Sequence, residues 1–185
     1  MDLNAVHIRV SSDQDRDRIL AVHRSAFGDD EGPVIARLVD EMLDDPSGEP
    51  ILSLVAELDN ELVGHVLFTS AEIEPSKQAS ARILAPLAVT RDHHDQGIGS
   101  HLVQDGFQRL AEAGVELVFV LGYPDYYSRF GFLPAGVRGF HAPYPILPKN
   151  ANAWMVHELS TGAITRHEGT VRCSNALDHA QYWQE

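Results

Sequence analysis

The sequence has little cysteine, few basic residues and no long apolar run, and each shortage excludes a class of protein. Cys173 is the single cysteine among 185 residues, which excludes an intrachain disulfide and a cysteine-based zinc site. No apolar run approaches the roughly 20 residues that span a bilayer, and no basic segment is followed by an apolar one near the N terminus. We therefore expect a soluble protein of the cytoplasm.

Basic residues are scarce relative to acidic ones, 14 against 27, and the formal net charge is −13 at pH 7. Nucleic acids and anionic membranes bind basic faces, so this balance argues against both as partners. It is compatible with a cationic substrate such as an amine. The length and a hydrophobic content of 44% indicate a single domain, residues 1–185. The sequence leaves open whether the protein is a monomer or a homodimer.

Several catalytic motifs are absent as well. The chain has no Gly-x-Ser-x-Gly elbow of a hydrolase and no His-Glu-x-x-His pair of a metalloprotease. His93, His94 and His101 stand close to Asp92 and Asp95, but adjacent histidines in a strand-to-helix turn point in different directions. We expect no metal site.

What the sequence does contain is a strand, a turn and a helix start between Arg82 and Gly99. A short apolar run that ends at Val89 indicates the strand, and the polar residues Thr90 to Gln96 separate it from Gly97 and Gly99. Glycines remove the side chains that would hold a ligand away from the backbone, so the first N–H groups of the helix can point at an anion. The helix dipole favours the same occupant. This pattern predicts a cradle for a pyrophosphate.

The spacing of these residues selects among phosphate-binding motifs. A Rossmann fingerprint needs a third glycine where Leu102 stands, and a P-loop needs Gly-Lys-Ser or Gly-Lys-Thr; neither is present. What remains resembles motif A of the GNAT superfamily of acetyl-CoA-dependent N-acetyltransferases, Gln/Arg-x-x-Gly-x-Gly/Ala after a strand. The resemblance implies acetyl-CoA as cosubstrate, with its phosphates held by His94, Asp95, Gln96, Gly97, Ile98, Gly99 and Ser100. His94 departs from the pattern, because it replaces the Gln or Arg of the family. A neutral histidine gives the phosphates a hydrogen bond more readily than a fixed charge.

A second stretch, YYSRFGF from Tyr126 to Phe132, is similar to the Phe-Tyr-x-x-x-Gly-Phe element that closes the core of the same superfamily. The resemblance gives Tyr127 the role of the tyrosine that lies near the cofactor sulfur and protonates the leaving thiolate. The alternative is a packing cluster, because most aromatic side chains at such spacing are buried. Both interpretations hold if Phe130 and Phe132 pack while one hydroxyl faces the cleft.

The remaining segments agree with an α/β fold (α+β mixed sheet) of the GNAT kind, with a mixed, mostly antiparallel sheet, splayed parallel strands 4 and 5, and flanking helices. The resemblance implies that the gap between these two strands holds the pantetheine arm, which main-chain groups of Leu87, Ala88 and Val89 bind like an added strand. Pro86 fits a ladder that is broken or bulged, because proline has no N–H to donate.

Local signals place the elements before this core. Gly28 is expected to end a first helix and Pro33 to begin a second. The pair Asp59-Asn60 tolerates turn geometry and predicts a hairpin. His65, on the second strand of that hairpin, is expected to be solvated rather than to act as a general base.

Residues 136–185 are expected to form a C-terminal extension of the same domain, and a tail of this kind is similar to the YhbS-like branch of the superfamily. The proline-containing loop at 136–150 is expected to cross near the active site. Gly169 to Val171 is expected to close a small C-terminal hairpin.

The function predicted by these motifs is direct transfer of an acetyl group from acetyl-CoA to a primary amine of a small molecule or peptide. A main-chain N–H near Leu87 or Ala88 would stabilise the developing oxyanion, and Tyr127 would protonate the departing thiolate. The alternative from another class is a non-catalytic acyl-CoA-binding sensor or assembly module, which needs the cradle but no proton donor. An acyl donor longer than acetyl is a third hypothesis.

Overall fold

The structure is a computed structural model that describes residues 5–184, and it consists of a mixed β-sheet with helices on both faces. The strands are β1 His7–Val10, β2 Leu52–Leu58, β3 Glu61–Glu74, β4 Ala81–Val89, β5 Leu117–Leu121, β6 Leu133–Pro134, β7 Phe140–His141, β8 Trp154–Glu158 and β9 Gly169–Arg172. The helices are α1 Arg16–Asp44, α2 Ile98–Glu112, α3 Pro124–Tyr127 and α4 Ala163–Arg166. No helix in this part of the chain is long and apolar enough to cross a bilayer.

The strands follow the spatial order β1-β2-β3-β4-β5-β8-β6, and β9 pairs with both β3 and β7. Along this order every pair is antiparallel except β4 and β5. The parallel pairing ends at Ile83 and Phe119, so the rest of β4 runs on beside a gap. The predicted fold class, with its splayed parallel strands 4 and 5, is confirmed.

A bulge in β4 lies where the gap begins. Val66 faces Leu87 and Phe68 faces Leu84, so one residue of β3 stands opposite two residues of β4, one of which is Pro86. The extra residue bends and twists the bulged strand. The predicted break in the ladder at the proline is confirmed.

The two long helices cover opposite faces of the sheet. Helix α1 is interrupted at Gly28 (φ 77°, ψ −171°), as predicted, and resumes before Pro33. Alternate strand residues point to different helices, since Val55 packs under α1 and Leu54 packs under α2. The buried residues of α2 are Ile98, Leu102, Val103, Gly106 and Leu110.

A chain of buried polar side chains joins α1 to the sheet. His23 Nε2 lies 2.8 Å from His65 Nδ1, and His65 Nε2 lies 2.9 Å from Ser53 Oγ, which in turn bonds Ser11 Oγ at 2.6 Å. The expectation of a solvated His65 is therefore wrong, because β3 is an interior strand and this side chain faces α1. Burial lowers the pKa of His23 to about 3 and the pKa of His65 well below its usual value.

The C-terminal extension differs from its predicted form. Strand β9 pairs with β3 and β7, so the expected C-terminal hairpin is wrong. Several residues of the loop at 136–150 line a separate cavity of about 410 Å³. The last helical turn, Ala180–Trp183, is held by Trp183, whose indole N–H donates to the Leu177 carbonyl at 3.0 Å and whose ring contacts Trp154.

We predict that the buried histidine pair makes the fold sensitive to mild acid. Both imidazoles are held neutral in the folded chain, so below pH about 6.5 the unfolded state binds more protons and stability falls as the pH falls. Each histidine should remove roughly 1.4 kcal/mol of unfolding free energy between pH 7.5 and 5.5. Urea denaturation of the parent chain and of His23→Gln and His65→Gln measures this. The variants should be less stable at pH 7.5 but lose less on acidification; equal losses in all three would contradict the prediction.

Candidate functional site

The site is built around the first turn of α2. Gly97 precedes the helix in a left-handed conformation (φ 84°) that glycine adopts without strain. The first bond along the helix runs from the His101 N–H to the Gly97 carbonyl at 3.1 Å, so the N–H groups of Ile98, Gly99 and Ser100 have no acceptor within the helix. No side chain caps this end. These amides and the helix dipole therefore form a site for an anion.

The second glycine of the motif keeps the first turn open. A Cβ built on Gly99 would lie 2.5 Å from the Tyr126 hydroxyl oxygen and 3.7 Å from a Val89 methyl group. The Tyr126 hydroxyl thus lies so close to the Gly99 backbone that a larger residue at this position would have to displace it.

Side chains of the preceding loop hold the turn in shape. The Gln96 amide donates to the Asp92 carbonyl at 3.0 Å, and Asp95 adopts a left-handed conformation (φ 58°). His94 Nε2 lies 2.7 Å from the Val89 carbonyl oxygen. A carbonyl only accepts, so this nitrogen carries the proton, and a neutral His94 presents its other ring nitrogen as an acceptor.

The end of β4 turns main-chain groups toward the gap. The Thr90 N–H donates to the Val63 carbonyl on β3 at 2.9 Å, which sets the alternation of the antiparallel ladder. By that alternation the amide of Ala88 faces β3, whereas the main-chain groups of Leu87 and Val89 face the side from which β5 has diverged. The Val89 carbonyl accepts the imidazole bond described above. The main-chain groups of Leu87 remain directed into the gap.

A single groove of about 980 Å³ joins these parts. Ligand sites in proteins commonly have volumes of roughly 300–1,000 Å³. The groove brings together every site residue predicted from the sequence, namely Leu87, Ala88, Val89, His94, Asp95, Gln96, Gly97, Ile98, Gly99, Ser100 and Tyr127. The described residues contain no group of three or more histidine, cysteine or acidic side chains that could hold a metal ion.

The aromatic element lines the same groove as the helix start. Tyr126 and Tyr127 both line the groove, with their rings 5.0 Å apart in a T-shaped contact. The Tyr127 ring packs against Gly122 and, at 5.6 Å, against the buried ring of Phe132. Burial raises the pKa of Tyr126. The element therefore packs into the core through Phe132 and presents two tyrosines to the groove.

Two walls of the groove contain residues that were not predicted individually from the sequence. One comes from α1 on both sides of its break, where Asp30 and Glu31 line the groove together with apolar residues that include Phe27. The other comes from the C-terminal turn, which contributes Gln181 and Tyr182. The run of three acidic residues after Gly28, Asp29 to Glu31, was the one local signal for the first wall. The second wall depends on the packing of Trp183.

Comparison with known proteins gives consistent results. A family model described as an acetyltransferase (GNAT) domain matches residues 7–135. The uncharacterised N-acetyltransferase YjhQ of Escherichia coli strain K12 is 36% identical over 177 residues, which cover 95% of this chain and 96% of YjhQ.

Two solved structures are similar over nearly their whole lengths. The crystal structure of the N-acetyltransferase YhbS from Escherichia coli in complex with CoA has a TM-score of 0.84 and 30% identity, covering 95% of this chain and 93% of YhbS. A GNAT family acetyltransferase from Brucella melitensis in complex with acetyl-CoA has a TM-score of 0.72 and 25% identity, covering 94% of this chain and 98% of the other.

The geometry predicts that Gly99→Val weakens binding of coenzyme A, the ligand of the YhbS structure, by about tenfold or more. The new side chain would push against the Tyr126 hydroxyl and fill the open turn, while the rest of the helix is untouched. Gly136→Val is the matched control, because a Cβ built there meets no atom within 4 Å. Calorimetric titration, with a thermal melt to confirm folding, measures the effect. Unchanged affinity in a folded Gly99→Val variant would refute the assignment of the site.

Proposed function

The chain belongs to the GNAT family of acetyltransferases, and it is an N-acetyltransferase that uses acetyl-CoA. From this premise we propose that it transfers the acetyl group directly to a primary amine of a small molecule or peptide. The observation that carries the proposal is the groove, which joins the uncapped amides of α2, the free edge of β4 and Tyr127 in one continuous space.

The residues of this groove fit the cofactor. The phosphates are assigned to the N–H groups of Ile98, Gly99 and Ser100, supported by the loop from His94 to Gly97, because these donors have no partner within the helix. The pantetheine arm is assigned to the edge of β4, where the main-chain groups of Leu87 can pair with its amides as a neighbouring strand would.

Acetyl-CoA supplies the acetyl group as a thioester, and the groove supplies the groups that the transfer needs. The amine must arrive neutral, since a free alkylammonium has a pKa near 10.4. As the nitrogen bonds to the carbonyl carbon, negative charge grows on the carbonyl oxygen, and the Leu87 N–H is the donor assigned to it. When the carbon–sulfur bond breaks, the Tyr127 hydroxyl is assigned to protonate the departing thiolate. The acetylated nitrogen releases its surplus proton to solvent at the open end of the groove, and solvent returns a proton to the Tyr127 phenolate.

The acceptor end of the groove suits a cation with an apolar body. Asp30 and Glu31 line this wall beside Phe27, and no lysine or arginine from the described part of α1 lines it. Carboxylates attract an ammonium group and hold it near the opening. We assign the amine to this wall.

We treat residues 136–185 as part of the same domain, because β8 pairs with β5 and the C-terminal turn completes the groove. The single cysteine supports a cytoplasmic location.

Two experiments separate this function from its rivals. Calorimetry with acetyl-CoA, run beside an assay of small amines, amino acids and peptide N termini, distinguishes an enzyme from a sensor. Binding without turnover across the panel would favour a non-catalytic acyl-CoA-binding module. Competition among acetyl-, propionyl- and succinyl-CoA distinguishes acetyl transfer from transfer of a longer acyl group.

We predict that Tyr127→Phe lowers kcat by about tenfold or more and changes acetyl-CoA affinity little, because the variant keeps the packing ring and loses the proton donor. Tyr144→Phe is the matched control, since the Tyr144 hydroxyl donates to the Asp178 carbonyl outside the groove. The measurement is steady-state turnover of a responsive amine from pH 6 to 9. Equal rates for variant and parent across this range would remove Tyr127 from the mechanism.

We also predict that neutralising the acidic wall weakens acceptor binding. Asp30→Asn and Glu31→Gln should each raise KM for a cationic amine by roughly two- to fivefold, because each removes a partly screened charge attraction. Acetyl-CoA affinity should stay the same. Asp29→Asn is the matched control, because Asp29 is exposed on the same helix but does not line the groove. If all three variants gave the same KM as the parent, the acceptor would not lie against this wall.

A further inference from the structure

The superfamily pattern has Gln or Arg at the first position of the cradle, and this chain has no arginine there to give a fixed positive charge. His94 stands there, and its Nε2 is already engaged by the Val89 carbonyl at 2.7 Å. A neutral His94 then turns a lone pair, not a proton, toward any further partner. The ligand carries several phosphate charges, and the chain has a formal net charge of −13. Binding would be helped by a cation supplied from elsewhere in the groove.

Arg129 is the one lysine or arginine among the residues that line the groove in the described part of the chain. Its Nε donates to the Tyr126 carbonyl at 3.1 Å, and its guanidinium carbon lies 4.4 Å from the centroid of the Tyr126 ring. Within residues 5–184 no carboxylate lies within 4.0 Å of this guanidinium, whereas Arg9 and Arg16 each contact two. Arg129 is thus a positioned cation that no acidic side chain neutralises.

Tyr126 connects this cation to the helix start. The guanidinium stacks on the tyrosine ring, and the hydroxyl of the same ring lies 2.5 Å from where a Gly99 Cβ would stand. One side chain therefore contacts Arg129 with its face and the first turn of α2 with its tip. Because burial raises the pKa of Tyr126, its hydroxyl keeps its proton and can donate to an anion.

The other basic groups near the loop are engaged elsewhere. The Arg91 guanidinium packs against Gly28 at the break in α1, and Arg91 does not line the groove. His93 Nδ1 lies 2.9 Å from the Thr90 hydroxyl. Neither offers a fixed charge to the open turn.

We propose that Arg129, stacked on Tyr126, supplies a fixed positive charge to the pyrophosphate of coenzyme A at the start of α2, a charge that an arginine at the position of His94 would otherwise give. The inference rests on the proposed assignment of the phosphates to this turn. Guanidinium groups suit the task, because their planar donors match phosphate oxygens and they remain charged at any physiological pH.

Calorimetric titration of the full-length chain tests the proposal with three ligands: coenzyme A, 3′-dephospho-coenzyme A and pantetheine. Arg129→Gln should weaken binding of both phosphate-containing ligands by about tenfold or more. Pantetheine, which has no phosphate, should bind parent and variant equally. Arg129→Lys should recover part of the loss, and the salt dependence of coenzyme A binding should be shallower in Arg129→Gln than in the parent.

Arg24→Gln is the matched control, because Arg24 is exposed on α1 and the substitution changes net charge by the same amount. It should leave all three affinities unchanged. Equal coenzyme A affinity in Arg129→Gln and the parent would overturn the proposal, and so would an equal loss for pantetheine, which would mark a structural effect. A loss that disappears with the 3′-dephospho ligand would move the contact away from the pyrophosphate and overturn it too. Failure of the parent chain to bind coenzyme A would instead refute the proposed function.

Discussion

The divergence of β4 and β5 is the constraint on which the rest of the site depends. Their pairing stops at Ile83 and Phe119, so the last residues of β4 keep main-chain groups that no neighbouring strand satisfies. Such groups cost free energy unless water or a ligand bonds them. The bulge at Pro86 marks the start of this gap, and the chain leaves β4 at the same end to begin α2. The free strand edge and the uncapped helix start are thereby brought into one groove.

The elements around the gap divide the chemistry of the groove between them. Helix α2 offers amides and a dipole to an anion, whereas α1 offers Asp30 and Glu31 to a cation. The aromatic element stands between them and contributes Tyr127 and the stacked pair Tyr126 and Arg129. A chain with strong negative net charge can bind a polyanion in this arrangement because the positive potential is local to the helix start.

Local chemistry made much of this predictable from the sequence. The break at Gly28, the turn at Asp59-Asn60 and the open helix start at Gly97 each follow from what one or two residues permit, and the structure has each of them. The resemblance to motif A of the GNAT superfamily added the prediction that the helix start holds the phosphates of acetyl-CoA. The assignment of Tyr127 stays a prediction, although its position in the groove is compatible with the proposed role.

Features that depend on distant packing could not be predicted in this way. His65 looks like a polar residue on a strand, and only the arrival of His23 from α1 explains its burial. The C-terminal wall depends on Trp183 reaching Trp154 across the sequence. Arg129 lies in the YYSRFGF motif, in which only Tyr127 was given a functional role from the sequence. Arg129 is connected to Gly99 only through the Tyr126 ring. In each of these cases the residues lie far apart along the chain, so local sequence patterns do not predict that they are close together in the fold.

The central claim is that the unpartnered amides of the first turn of α2 hold the linked phosphates of the cofactor. A crystal structure of this chain with coenzyme A bound tests it most directly. The account predicts pyrophosphate oxygens within about 3.2 Å of the main-chain nitrogens of Ile98, Gly99 and Ser100. A pyrophosphate bound elsewhere, with these three amides facing solvent, would contradict it.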